Sequence, residues 1–229
     1  MFTLQKVTKS YTGRHGAVHA LRDVSFAIQP GQFVTVTGPS GSGKTTLLLT
    51  LGGLIRPTSG RVMFNGTDLG SLSDRRLSDY RNRSVGFVLQ SFNLIPYLSA
   101  HENVMVPMSL SSNGGGDHGT RAKALLDRLG LSDRLEHLPR ELSVGQQQRV
   151  AMARALANDP EVILADEPTG NLDPTLAAEI LGILGELNAR EGRTVVMVTH
   201  SPQAARIGTH RIHLDAGCCE ASDPMTVGH

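Results

Sequence analysis

The chain has 229 residues, of which 39% are hydrophobic, a size and composition that suit one α/β domain with an inserted lobe. Its 22 basic and 21 acidic residues leave a net charge of +1, which argues against a nucleic-acid partner and against charge-driven membrane binding. The start lacks a signal-peptide pattern, and no run approaches the roughly 18 apolar residues of a membrane helix. Adjacent Cys218 and Cys219 are expected to be free thiols in a reducing cytosol.

Alternating and β-branched segments predict strands in the first part of the chain. These strands are expected at Phe2–Lys9, Val18–Ile28, Gln32–Thr37, Arg61–Asn65 and Ser84–Leu89. The first two are joined through a turn at Gly13–Gly16. A helix is predicted over Thr45–Leu54, where Pro57 and Gly60 then close the segment.

The middle of the chain changes character. Ser91–Leu110 is apolar and contains two prolines, and the Ser/Gly-rich stretch Ser111–Gly119 predicts an exposed loop. Helices are predicted over Thr120–Gly130, Val144–Asn158 and Leu176–Ala189. The short runs Val162–Ala165 and Thr194–Val198 suit buried parallel strands, which gives a strand–helix–strand unit.

A phosphate-binding loop follows the third predicted strand. The residues that match G-x-x-x-x-G-K-[ST] in full are Gly38, Pro39, Ser40, Gly41, Ser42, Gly43, Lys44 and Thr45. Glycines let backbone N–H groups wrap phosphate oxygens, and the next helix directs its positive end at the same anion. Lys44 is predicted to reach the β- and γ-phosphates, Thr45 to offer its hydroxyl to magnesium, and Thr46 to contact the nucleotide. The sequence therefore predicts ATP and magnesium binding.

Two carboxylates end the predicted strand at Val162–Ala165. Asp166 is placed to hold magnesium, and Glu167 to polarise the attacking water as general base. The long stretch between these residues and the phosphate-binding loop predicts an inserted helical lobe at about Ser91–Asn158.

A further motif precedes Asp166 and Glu167 in the chain. Leu142-Ser-Val-Gly-Gln146, followed by Gln-Gln-Arg-Val and Val150–Leu156, resembles the signature motif of ABC ATPases, and the resemblance covers nearly the whole chain. It implies a P-loop α/β fold with a parallel sheet, an N-terminal antiparallel β part and an inserted helical subdomain. In that architecture residues 1–90 and 159–229 form the nucleotide-binding core of a single domain, and residues 91–158 form the lobe with the signature.

The resemblance also implies roles for single residues. Tyr11 is similar to the aromatic residue that stacks on adenine, and Gln90 resembles the Q-loop glutamine that touches magnesium or the attacking water. His200 resembles the switch histidine, and Asn171-Leu-Asp173 the D-loop. Ser143, Gly145 and Gln146 are expected to face the γ-phosphate held by a second subunit, so that two copies enclose two ATP.

One position departs from the common signature. Val144 stands where a second glycine is usual, and a β-branched residue rarely accepts a positive φ. We therefore expect ordinary backbone geometry at Val144, with its side chain directed away from the phosphate.

Finer motifs are similar to the lipoprotein-releasing and macrolide-export branch. They are Leu51-Gly-Gly-Leu54, Val85–Tyr97, Glu102-Asn-Val104 and Glu167–Asp173. This branch implies an integral membrane subunit with a large external domain, a location on the cytoplasmic face of the membrane, and docking through the apolar residues from Phe92 to Leu98. Packing of the lobe explains the same apolar residues equally well. An alternative function is a soluble ABC ATPase without a membrane partner, such as one for iron–sulfur assembly, whereas the signature and Gln90 argue against a small-molecule kinase.

Overall fold

The computed structural model describes residues 1–13, 16–110 and 116–220. The strands of this part are β1 (Phe2–Gly13), β2 (Gly16–Ile28), β3 (Phe33–Thr37), β4 (Ser59–Phe64), β5 (Thr67–Asp68), β6 (Val85–Leu89), β7 (Val162–Asp166), β8 (Thr194–Val198), β9 (His210–Asp215) and β10 (Cys218–Glu220). The helices are α1 (Lys44–Leu51), α2 (Asp74–Ser84), α3 (Ala100–Ser109), α4 (His118–Arg128), α5 (Val144–Ala155), α6 (Pro174–Ala189) and α7 (Pro202–Ala205).

The strands form two sheets. One is antiparallel, in the order β2-β1-β4-β5, and the other has the order β10-β9-β3-β8-β7-β6. In the second sheet the strands from β9 to β6 are parallel, and only the edge strand β10 is antiparallel to its neighbour. The carboxyl ends of β3, β6, β7 and β8 therefore lie at one edge of the sheet, which is where ligands bind in open α/β sheets.

The parallel sheet is buried on both faces, because consecutive side chains of a strand point to opposite sides. In β7, Val162 and Leu164 join the core shared with the antiparallel sheet, α1 and α2, whereas Ile163 and Ala165 join the core beneath α3 to α7. Continuous apolar runs such as β7 and β8 are what a sheet covered on both faces requires.

Three of the helices, α3, α4 and α5, lie between β6 and β7 in the chain and pack on one another. Val104, Leu126 and Val150 are fully buried in their shared core. The first of these helices begins with a capping box, in which Ser99 and Glu102 each bond the other's backbone N–H. The division of the chain into a core and an inserted lobe stays a prediction.

The predicted α/β fold is confirmed, but several details differ. The helix α2 is not expected from the sequence. The stretch Ser91–Leu110, expected only to be apolar, contains α3 in its second half, with Pro107 inside the helix. The predicted Ser111–Gly119 loop falls partly on residues 111–115, outside the described residues, and its end is wrong because α4 begins at His118. Residues 14 and 15 of the predicted turn also lie outside the described residues.

Two expectations about the whole chain can be compared with the described residues. Cys218 and Cys219 are free thiols, as expected. Among the helices of the described ranges, none combines the length and apolar character that crossing a membrane requires.

Candidate functional site

The loop between β3 and α1 has the conformation that its glycines permit. Gly38, Gly41 and Gly43 have φ values of 143°, 76° and 101°, which side-chain-bearing residues rarely adopt. A Cβ on Gly38 would lie 1.9 Å from the carbonyl oxygen of Leu214, and one on Gly43 would lie 2.1 Å from that of Ala20. Both positions therefore demand glycine for backbone reasons before any ligand is considered.

The turn between β9 and β10 braces the same loop. Gly217 donates its N–H to the Ser42 carbonyl over 3.1 Å, and its own carbonyl accepts the N–H of Arg22 over 2.8 Å. Ala216 and Gly217 have φ values of 45° and 82°, the left-handed pair of a two-residue hairpin turn. The phosphate-binding loop is thus tied to strands of both sheets.

Polar groups in the loop are available to an anion. Among the described residues, no side chain caps α1, whose N-cap is Gly43, and the buried hydroxyl oxygen of Ser42 has no hydrogen-bond partner. Lys44 donates from Nζ to the carbonyls of Gly38 and Pro39 at 3.0 and 2.8 Å, and its third proton has no acceptor in the described part of the chain. Burial lowers the pKa of Lys44, while the charges of Glu167 and Asp166 oppose that shift.

Asp166 ends β7 beside α1. The hydroxyl of Thr45 donates to Oδ1 of Asp166 over 3.3 Å. Burial raises the pKa of Asp166, and the Thr45 hydrogen bond and the Lys44 charge act in the opposite direction. A hydroxyl and a carboxylate at this distance are the oxygen donors that magnesium takes when phosphates and water complete its coordination, so the residues fit the ion.

Glu167 has a strained backbone, with φ of 47°. Its Oε2 accepts the backbone N–H of His200 over 3.2 Å, and its Oε1 lies 3.3 Å from Nε2 of His200. That second contact lacks hydrogen-bond geometry, so Oε1 is a buried acceptor without a hydrogen-bond partner among the described residues. Burial raises the pKa of Glu167, and the hydrogen bond from His200 and its charge oppose the shift. The side chain is therefore positioned and available to take a proton.

A cavity of about 590 Å³ joins these elements. It is lined by Ala20, Ser40, Gly41, Gly43, Lys44, Thr45, Thr46, Gln90, Asp166, Glu167, Gly170, Val198 and His200. The ladder between β6 and β7 sets Leu89 opposite Asp166, which brings Gln90 to the same edge. Ten residues selected from the sequence, spread from Ser40 to His200, thus line one cavity.

Other residues selected from the sequence lie elsewhere. Tyr11 is exposed on β1, where Nζ of Lys9 lies 5.2 Å from its ring centre, and it does not line the cavity. Pro39 and Ser42 belong to the loop without lining the cavity, and Gly38 lines a neighbouring one.

The signature residues are also outside this cavity. Ser143 caps α5, and its hydroxyl accepts the N–H of Gln146 while Gln146 Oε1 accepts the N–H of Ser143. Val144 is the first residue of α5 and 46% exposed, which agrees with the ordinary backbone expected there. A Cβ on Gly145 would lie 2.8 Å from the end of the Leu176 side chain on α6, which would have to shift to accommodate it.

Two side chains of α5 were not assigned a role from the sequence. Gln148 is fully buried and donates to the carbonyl of Pro168, next to Glu167, over 2.8 Å. Arg154 donates to the carbonyls of Phe92 and Asn93 at 2.6 and 2.5 Å, and both of those residues have positive φ values. A charged residue within the largely apolar run Val150–Leu156 was the signal that could have identified Arg154.

Comparison with known proteins gives a consistent result. A family model described as "ABC transporter" matches residues 21–170. A macrolide export ATP-binding/permease protein from Syntrophobacter fumaroxidans is 46% identical over 96% of this chain, which spans only 31% of that protein. A lipoprotein-releasing system ATP-binding protein from Rhodopirellula baltica is 45% identical over 95% of each chain.

Solved structures are similar along almost the whole chain. The ATP-binding cassette MJ0796, a protein of Methanocaldococcus jannaschii, has been solved as a dimer in a post-hydrolysis state bound to ADP and Pi. It superimposes with a TM-score of 0.92 at 42% identity and 98% coverage of each chain.

Proposed function

Since this chain belongs to the ABC transporter family and is an ATPase, we propose that it binds ATP between two copies of itself and drives a separate membrane subunit. The cavity that joins the phosphate-binding loop to Asp166, Glu167 and His200 is the single observation that carries this proposal. In the proposed reaction, water attacks the γ-phosphorus and the bond to the ADP oxygen breaks.

The polar residues that line the cavity can share the work of that reaction. Backbone N–H groups of the loop and Nζ of Lys44 hold the phosphates, and the free Oε1 of Glu167 takes the proton of the attacking water. His200 positions Glu167 through the two contacts already described, and Gln90, which lines the same cavity, contacts magnesium or the attacking water. Thr45 and Asp166 would hold magnesium, which when bound neutralises charge on the β- and γ-phosphate oxygens.

The position of the signature residues supports the two-copy arrangement. Ser143, Gly145 and Gln146 do not line the cavity of their own chain, yet they form the exposed start of a twelve-residue helix. Such a helix start attracts anions, so it can complete the phosphate site of a second copy. The dimeric cassettes solved at 42% identity support this arrangement.

The membrane subunit is expected to dock beside Gln90, as a helix with an apolar face. Tyr97 is 78% exposed. A groove of about 410 Å³ is lined by residues of α2, α3 and α5, by the exposed Leu54 and Leu110, and by Leu89, which directly precedes Gln90. The groove contains Arg154, whose guanidinium also holds the segment after Gln90. The relatives named as lipoprotein-releasing and macrolide-export proteins support such a partner, and with it a peripheral location on the cytoplasmic face of the membrane.

Sequencing the neighbouring reading frames and co-expressing this chain with any multi-span membrane protein that they encode tests the proposal. We expect a stable complex whose ATP turnover exceeds that of the isolated chain and is abolished by Lys44→Ala. A chain that hydrolyses ATP but binds no membrane protein would support the alternative of a soluble ABC ATPase. Undiminished turnover in Lys44→Ala would refute the assignment of the phosphate site.

A further inference from the structure

A second cavity, which no assigned role explains, lies next to the nucleotide cavity. It has a volume of about 330 Å³ and is bordered by Thr37, Gly38, His200, Ser201, Arg206 and Arg211. His200 borders both cavities. Gly38 borders only the second one, and its carbonyl accepts a hydrogen bond from Lys44.

The second cavity is positively charged. Arg211 lies on β9 opposite Thr35, and Arg206 directly follows α7, so two separate elements each bring a guanidinium to it. Within residues 1–13, 16–110 and 116–220 neither guanidinium forms an ion pair, and no carboxylate is among the residues that line this cavity. Two cations that share a cavity without a counter-charge repel each other, and arginine cannot relieve this by losing its proton.

Arg211 is directed toward the second cavity and carries an unsatisfied hydrogen-bond donor. Its Nε is buried and lacks a hydrogen-bond partner among the described residues. The next residue, Ile212, points into the core on the other face of the sheet, so Arg211 is directed to the cavity side by strand alternation. An unsatisfied buried donor costs free energy, and a tetrahedral oxyanion would satisfy it because the guanidinium fork matches such an anion with two parallel hydrogen bonds.

We propose that this second cavity binds inorganic phosphate and receives the phosphate product after hydrolysis in the neighbouring cavity. The origin of the phosphate rests on the proposed function, whereas the binding itself does not. Arg211 would hold two of its oxygens, Arg206 would balance the remaining charge, and the hydroxyl of Ser201 would donate a further hydrogen bond.

Equilibrium dialysis with radiolabelled orthophosphate tests the proposal, at ionic strength held constant with sodium chloride. A Lys44→Ala chain removes the cation of the first phosphate site and isolates the second one. We expect this chain to retain phosphate binding. Adding Arg211→Gln should weaken that binding at least about tenfold, the value of one charge-assisted contact, and adding Arg61→Gln, a change to an exposed arginine on β4, should not alter it.

The second variant adds Arg206→Gln to the Lys44→Ala chain. Because Arg206 is exposed, this change should not impair folding, so it tests the cavity even if Arg211→Gln does impair folding. It should also weaken phosphate binding, with an unchanged melting temperature. The proposal is wrong if Lys44→Ala binds no phosphate, or if its affinity is unaffected by both arginine changes. Because dialysis needs no ATP turnover, that failure would leave the proposed ATPase function standing.

Discussion

Replacing Glu167 by glutamine should stop hydrolysis while preserving the architecture of the site. Glutamine has the same length, and its amide oxygen can still accept the backbone N–H of His200, which Oε2 now accepts over 3.2 Å. What disappears is the buried acceptor Oε1, which has no hydrogen-bond partner among the described residues. The change therefore removes the proton acceptor and little else.

The expected loss can be expressed as a rate. A positioned general base contributes about 10²–10⁴-fold, so the barrier should rise by about 3–5 kcal/mol. The fold should not suffer. Burial raises the pKa of Glu167 in the folded chain, so this carboxyl favours folding only while protonated, and its contribution is lost as pH rises through the folded-state pKa. At pH 7 the neutral amide should leave the melting temperature equal to or higher than that of the wild type.

Steady-state ATP turnover as a function of pH is the appropriate assay. In the wild type, turnover should fall as pH decreases through the pKa of Glu167, which burial places above the usual 4.5 of a glutamate. In Glu167→Gln this acid limb should be absent, ATP binding should remain, and ATP-bound dimers should accumulate in gel filtration. Glu136→Gln makes the same change at an exposed carboxylate and should behave as the wild type.

One specific result would show that Glu167 is not the general base. If Glu167→Gln retained wild-type turnover and its acid limb, the base would lie elsewhere, and His200 would be the first residue to test.

Three further predictions concern the signature, the docking surface and Arg154. A Ser143→Arg chain mixed with a Lys44→Ala chain should form ATP-driven dimers better than either chain alone, because one of the two shared sites keeps both Lys44 and Ser143. Gel filtration with ATP measures dimer formation, and equal behaviour of the mixture and the single chains would contradict the two-copy site. Tyr97→Asp should leave the melting temperature unchanged, because Tyr97 is 78% exposed, but it should abolish pull-down by the membrane subunit. A large drop in melting temperature would instead show that Tyr97 contributes to the core. Arg154→Met should lower the free energy of unfolding by about 1–3 kcal/mol and speed amide exchange after Gln90, because methionine has no donor for the two carbonyls. Unchanged exchange would mean that Arg154 does not hold that segment.

The sequence was most informative where backbone chemistry restricts residue choice. The glycines and Lys44 of the phosphate-binding loop can be recognised without a structure, because positive φ values and an anion leave few alternatives. Buried parallel strands such as β7 were equally predictable, since both faces must be apolar. The parallel ladder then places the ends of those strands together.

Other elements could not be predicted because their signals were weak or were overlooked. The mostly polar α2 is held by Leu77 and Tyr80 alone on its buried face, a pattern too sparse to identify. For α3 the signal existed, in the Ser99–Glu102 capping box, but the prolines on either side concealed it. Side-chain-to-carbonyl contacts such as those of Arg154 depend on tertiary neighbours, so the sequence shows the arginine without its partners.

The turn at Ala216 and Gly217 has a practical meaning for anyone who modifies this protein. A short hairpin next to the exposed thiol of Cys218 looks like a convenient place for an affinity tag, a fluorescent label or a new pair of chain ends. Yet the N–H of Gly217 donates to the carbonyl of Ser42. An alteration at Gly217 would therefore disturb the phosphate-binding loop, although the two residues are 175 positions apart in the sequence. Probes intended to report on nucleotide binding without disturbing it belong instead on the exposed face of α4, at a position such as Lys123, which borders none of the cavities described above.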